Sequence, residues 1–133
     1  MKKLVLIISV VALLSACSTK PRVEKTNDGV VIHFAEGNAT RLVKLEVMNE
    51  RIIRVYSSAT DSIPADTSLV IVRNAKQTTE WQLIEEEDRI SIVTNSLRAN
   101  VSSKTGVVSF TDPSGKSILS EKEGGRTFKP TQL

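Results

Sequence analysis

The stretch Thr40–Ser58, TRLVKLEVMNERIIRVYSS, decides the fold class. Val43, Leu45 and Val47 take alternate positions with Lys44 and Glu46 between them. After Asn49-Glu50 the alternation resumes, with Ile53 and Val55 on one side and Arg54 and Tyr56 on the other. A period of two puts every apolar residue on one face of an extended chain, whereas a helix would need apolar spacings of three and four. Two such runs joined by a short polar connection predict an antiparallel hairpin with one buried face.

The same grammar extends in both directions. Val30–Phe34 is a short apolar run closed by Glu36-Gly37-Asn38. Beyond the hairpin, Thr60–Thr67, with Pro64, reads as a loop. Strands are then expected at Ser68–Arg73 and Trp81–Glu85, separated by polar Asn74–Glu80. Further strands follow at Arg89–Thr94, Leu97–Ser102, Val107–Thr111 and Lys116–Ser120. Ser103–Gly106 is a turn, and Asp112-Pro113-Ser114-Gly115 suits a type I turn, with Pro second and Gly fourth. No stretch after Cys17 keeps a helical period over three turns. Closely spaced short strands with turn signals between them predict an all-β, antiparallel β-sandwich over residues 29–133. Its last residues, Phe128 to Leu133, look like the approach to another strand, and a sheet stopped there would leave an open edge. The domain is therefore expected to be truncated at its C-terminal end.

The N-terminus reads as an address. Lys2 and Lys3 precede the apolar run Leu4–Leu14, and Leu14-Ser15-Ala16-Cys17 closes it. The run is too short for a spanning helix, which needs about 20 apolar residues, and it has the anatomy of a secretory signal. Leu-Ser-Ala-Cys resembles the bacterial lipoprotein box, whose cysteine is acylated and becomes the new N-terminus. Residues 1–16 are thus expected to be a signal peptide, Cys17 the lipidation site, and 17–28 a lipidated tether. Several acyl chains hold such a product on a membrane. Ser18, where a retention signal would place Asp, points to the outer membrane of a bacterial cell envelope, on its periplasmic or surface face.

Charge excludes one class of function. The whole chain of 133 residues carries a formal charge of +3. Without Lys2 and Lys3 the basic residues fall from 18 to 16 against 15 acids, leaving +1. A nearly neutral domain has no electrostatic footprint for a polyanion, so no nucleic-acid partner is expected. One Cys permits no intrachain disulfide and no Cys-based zinc site.

Few residues carry chemistry. His33, the single histidine, alternates away from Val30 and Ile32 and is expected on the strand's surface. No Gly-x-Ser-x-Gly nucleophile turn accompanies it. Glu85-Glu86-Glu87-Asp88 lacks the alternating oxygen ligands of a calcium loop and reads as a solvated hairpin tip. Asn38-Ala39-Thr40 matches a glycosylation pattern but serves as a turn, and Gly124-Gly125-Arg126 lacks the helix a phosphate cradle needs. Trp81, at a strand start with Leu83 two residues on, either enters the core or stacks on a sugar ring, and it is the candidate carbohydrate contact. No catalytic residue, metal site or cofactor is expected.

The ordered set Val47–Val55, Ser68–Ile71, Arg89–Thr94, Leu97–Ser102, Val108–Asp112, Gly115-Lys116, Ile118-Leu119 and Gly125–Phe128 resembles the N-terminal, galactose-mutarotase-like β-sandwich of family 31 glycoside hydrolases. These are α-glucosidases and α-xylosidases, and the likeness is greatest to lipoprotein versions. It spans roughly Asp28 to Pro130. It implies a partner: a C-terminal (β/α)₈ barrel that carries two catalytic aspartates and cleaves oligosaccharides with retention. Met48-Asn49-Glu50 echoes the end of the family's nucleophile motif, but Val47 stands where that motif has Asp, so no nucleophile is carried over. The implied role is a non-catalytic domain of an α-glycosidase in carbohydrate metabolism, packed on and bordering its active site. The alternative is a free-standing outer-membrane lipoprotein, acting as a carbohydrate-binding or envelope-assembly module.

Overall fold

The computed structural model describes residues 20–63 and 78–129. The signal peptide, Cys17 and the strand expected at Ser68–Arg73 lie outside the described residues. The described residues form nine strands: β1 (Arg22–Lys25), β2 (Gly29–His33), β3 (Leu42–Asn49), β4 (Ile52–Ser58), β5 (Gln82–Glu85), β6 (Arg89–Val93), β7 (Arg98–Ser102), β8 (Val108–Thr111) and β9 (Ser117–Ser120). They form two antiparallel meanders, a four-stranded sheet in the order β1-β2-β3-β4 and a five-stranded sheet in the order β5-β6-β7-β8-β9. Among the described residues there is no helix, and none long and apolar enough to cross a membrane.

The predicted hairpin is β3–β4. Lys44 pairs with Tyr56, Leu45 with Val55 and Glu46 with Arg54, and a bulge near Met48 lets the chain turn through Glu50-Arg51. Because paired residues share a face, Leu45 and Val55 point to one side and Lys44 and Tyr56 to the other. Val30, Ile32, Val43, Leu45, Val47 and Ile53 from the first sheet meet Ile90, Ile92, Ala99, Val101 and Val108 from the second in a single core. That shared core makes the two sheets a sandwich. The alternation read from the sequence is therefore the alternation between core and outer faces.

Gly29 opens β2 under the backbone of β3, where a Cβ would lie 1.9 Å from the Leu45 carbonyl oxygen. Only glycine lets the strands approach there. Gly115 has φ of 90°, and its N–H donates to the Asp112 carbonyl at 3.0 Å. The Asp112 carboxylate also accepts from Ser114 N and Lys116 N, each at 2.9 Å. The predicted Asp-Pro-Ser-Gly turn is thus held by its own side chain, and the Ser114 hydroxyl, which donates to the same carboxylate at 2.6 Å, is the main reason the Asp112 carboxyl lies below its usual pKa.

One element departs from the sequence reading. The tether assigned to residues 17–28 contains β1, and the sandwich begins at Arg22 rather than Gly29. Val23 pairs with Ile32 and packs against the core. Arg22, Glu24 and Lys25 give the strand a charged composition suited to a sheet edge, where charge discourages pairing with other chains. At the opposite edge of the second sheet, β9 is exposed throughout, with Ile118 at 59% and Leu119 at 61%.

Candidate functional site

The turn β1–β2, the turn β3–β4, the turn β6–β7 and the lead into β5 gather at one end of the sandwich. Thr94, just past β6, is the knot that joins the sheets there. Its hydroxyl donates to the Glu50 carbonyl at 2.5 Å and accepts from Leu97 N at 3.0 Å. The Asp28 carbonyl accepts from Val47 N at 2.6 Å, fixing the β1–β2 turn against β3. Burial pushes the Asp28 carboxyl up, but hydrogen bonds with Glu46 and Thr26, together with the Lys44 charge, outweigh that and leave it below its usual pKa.

Trp81 sits on this rim. It has the strand parity of Leu83, facing inward, and it packs part-buried against the core. Lys25, with the parity of Val23, reaches across from the edge of the other sheet, and its Nζ lies 4.8 Å from the indole centroid. That distance is within the range of a cation–π contact. A groove of about 650 Å³ opens beside the pair. Its walls are polar: Thr26 and Asn27 on one side, Thr79, Glu80 and Gln82 on another, and Asn95 beyond Thr94. The size falls within the range of small-molecule sites. Trp81 thus both packs on the core and lines a groove.

The other end of the sandwich holds a smaller depression of about 270 Å³, centred on Arg126. The guanidinium bonds the Glu121 carboxylate and donates to Gly106 O at 3.3 Å and Thr40 Oγ1 at 3.4 Å. Glu121 also accepts from Val108 N at 2.8 Å. Burial raises the Glu121 pKa, but the Arg126 and Val108 hydrogen bonds and the Arg126 charge prevail, leaving it lowered. Arg126 thereby clamps the segment after β9 across the ends of both sheets. Its partners stand 86, 20 and 5 residues away in sequence, so no local pattern could have exposed the role.

The remaining sequence candidates stay apart. His33 lies on the outer face of β2 as expected, but it is covered rather than exposed, with 14% of its side chain accessible. Its Nδ1 bonds the Asp61 carboxylate and its Nε2 lies 3.6 Å from Glu24. The His33 hydrogen bond is the main reason the Asp61 pKa is lowered. Among the described residues no nucleophilic side chain bonds this pair, and the cluster is an ion-pair network on the sheet surface. Glu46, on the same face and 3% exposed, is balanced by Lys44 and Arg54, each at 3.5 Å. The acidic run is the β5–β6 turn, at the opposite end from Trp81, with Glu86 paired to Arg89 at 2.8 Å. Among the described residues no group of three or more His, Cys, Asp or Glu is placed to hold a metal ion.

No protein-family model matches the chain. Among solved structures, a GH31 alpha-xylosidase from Xanthomonas citri superposes with a TM-score of 0.72 and 36% sequence identity. The match covers 82% of this chain and 12% of that one. A GH31 alpha-xylosidase from a soil metagenome, complexed with xylose, gives a TM-score of 0.59 over 81% of this chain and 16% of that one. At 21% identity this second likeness is one of fold. The chain therefore corresponds to a small part of much longer hydrolases, and that part is an all-β sandwich.

Proposed function

We propose that this chain supplies the N-terminal β-sandwich of a family-31-type α-glycosidase. In this reading the sandwich is non-catalytic. It packs on a (β/α)₈ barrel carried by the same polypeptide, borders the sugar site, and leaves bond cleavage to carboxylates of the barrel. The observation that carries the reading is the contrast in coverage: 36% identity over 82% of this chain, against 12% of the α-xylosidase it matches. An α-xylosyl or α-glucosyl oligosaccharide is the corresponding substrate class.

Two measurements test the reading. The purified chain alone should leave aryl α-xylosides and α-glucosides intact, and turnover by it would place the chemistry here instead. The coding DNA past Leu133 should continue in frame into a (β/α)₈ barrel with the aspartate that the nucleophile motif has where Val47 stands here. A stop codon there, with a stable chain that binds oligosaccharide, would favour the free-standing lipoprotein module.

Anchoring belongs to the same proposal. Cys17, the single cysteine, becomes the acylated N-terminus of a product held on the outer membrane. Labelled palmitate should enter the wild-type chain expressed in a bacterium, and Cys17→Ser should abolish both labelling and membrane retention. Labelling that survives the substitution would remove the anchor from the proposal.

A further inference from the structure

Among the described residues the two sheets have four edge strands, and three of them carry charge. β1 has Arg22, Glu24 and Lys25, β4 has Arg54, and β5 has Glu85. Charge on an edge discourages pairing with another chain. β9 is the exception. Ser117-Ile118-Leu119-Ser120 has neither charge nor proline, and every one of its residues is exposed. Within the described residues the chain that follows does not return along this edge. Arg126 draws it across the ends of both sheets instead, to Thr40 and Gly106.

The backbone of β9 is built to meet a copy of itself. Asp112 N donates to Lys116 O at 2.9 Å and Glu121 N to Val108 O at 3.0 Å, so Lys116 and Glu121 turn these backbone groups toward β8. Bonding direction alternates along an antiparallel strand, which sends the N–H and C=O of Ser117 and Ser120 to the free side. Ser117 pairs with Thr111 and Ser120 with Ser109, and Thr111 and Ser109 share a face. The two serines therefore share a face as well, although residues three apart in a regular strand would not. The register shift between Ser117 and Leu119, which leaves Ile118 as an extra residue, is the cause.

The side chains agree with the backbone. Lys116-Ser117-Ile118-Leu119-Ser120-Glu121 keeps its chemistry when read backwards, except that the two ends exchange sign. With two copies antiparallel and Ser117 opposite the partner's Ser120, Ile118 meets the partner's Leu119 and Lys116 meets the partner's Glu121. Two-fold symmetry makes each contact twice, and opposite charges directly across strands attract. The Glu121 side chain is 40% accessible, and the bonds from Arg126 and Val108 N both fall on its Oε2, so the lysine meets Oε1.

From this arrangement we infer that β9 is a self-pairing edge, on which a second copy of this chain docks antiparallel and joins the five-stranded sheets of the two chains edge to edge. The inference stands apart from the glycosidase reading, because it is read by association and not by turnover.

The full chain, in an excess of detergent micelles and with reductant, is followed by sedimentation equilibrium up to about 1 mM. A contact of four residues a side is smaller than the roughly 1,600 Å² of a standard interface, so a reversible dimer with a dissociation constant of order 100 µM is expected. Ile118→Lys places a charge on the edge, and Lys116→Glu sets like charges opposite one another. Each should weaken the dimer about tenfold while keeping the β-sheet circular dichroism. Cross-linking in a Cys17→Ser background reads the register. Mixed Ser117→Cys and Ser120→Cys chains, oxidised with copper phenanthroline, should join to each other in preference to themselves. A chain that stays monomeric at about 1 mM, association that neither charge substitution weakens, or cross-links that favour like chains would each overturn the inference.

Discussion

Arg126 shows how much a single side chain can hold in a domain of this size. It joins Glu121, Gly106 and Thr40, which belong to the segment after β9, the β7–β8 turn and the loop before β3. With 19% of its side chain accessible, truncation would leave the Glu121 carboxylate with only its Val108 N–H partner. Arg126→Ala is expected to lower stability by about 1–3 kcal/mol, the range for leaving a hydrogen-bonding group without its partner. Arg126→Lys keeps the charge but not the forked geometry, and should recover less than half of the loss. Glu121 is 40% exposed, so solvent screening keeps the effect below that of a fully buried pair. The pH dependence has a definite sign. Glu121 has a lowered pKa in the folded chain, so its contribution is present above the unfolded value of about 4.3 and is lost as pH falls through the folded one. Urea midpoints of wild type and Arg126→Ala should therefore differ most at pH 7, and the gap should narrow in acid as Glu121 takes up its proton. A gap that is unchanged in acid would mean that the ion pair is not what the arginine supplies.

At the scale of elements, what the sequence shows depends on how many residues of a strand face the core. β3 places Val43, Leu45 and Val47 inward, three consecutive turns of a two-residue period, and its hairpin with β4 is legible to the residue. β1 places only Val23 and Lys25 inward, and Lys25 lies at the rim. One buried apolar residue makes no period, so Arg22–Lys25 reads as part of a charged tether until its pairing with β2 is seen. Turn chemistry was legible for the opposite reason, since Asp112, Ser114 and Gly115 form their hydrogen bonds within four residues. The groove falls between these cases. Trp81 stands out in sequence as a lone indole at a strand start, but its neighbours come from β1, the β1–β2 turn and the β6–β7 turn. Only the stacking of one meander on the other brings Lys25 and Asn95 to it. His33 shows the same limit in reverse. Alternation gives the correct face, and the cover supplied by Asp61 and Glu24 arises from the β4-flanking loop and the adjacent strand.

The described residues form two sequential meanders that exchange no strands, and among these residues the sheets are joined by side-chain packing plus a few end contacts. Each sheet alone would expose one apolar face, which neither can leave in water. Leu45 of the first sheet and Ile92 of the second are both fully buried in the one cluster. Thr94 and Arg126 add polar ties at the two ends of the sandwich. Such a chain should unfold as one cooperative unit rather than sheet by sheet. Leu45→Ala and Ile92→Ala should each cost about 2–5 kcal/mol, the range for truncating a buried aliphatic side chain. The decisive feature is which signals move. Trp81 emission reports the rim where the second sheet begins, whereas far-ultraviolet circular dichroism reports both sheets. If the core is shared, Leu45→Ala must shift the Trp81 transition as far as it shifts the circular dichroism, although no strand of its sheet contains the indole. A Trp81 transition that stays in place while part of the circular dichroism melts early would show that the meanders are separable, and the sandwich would then be two independent sheets in contact.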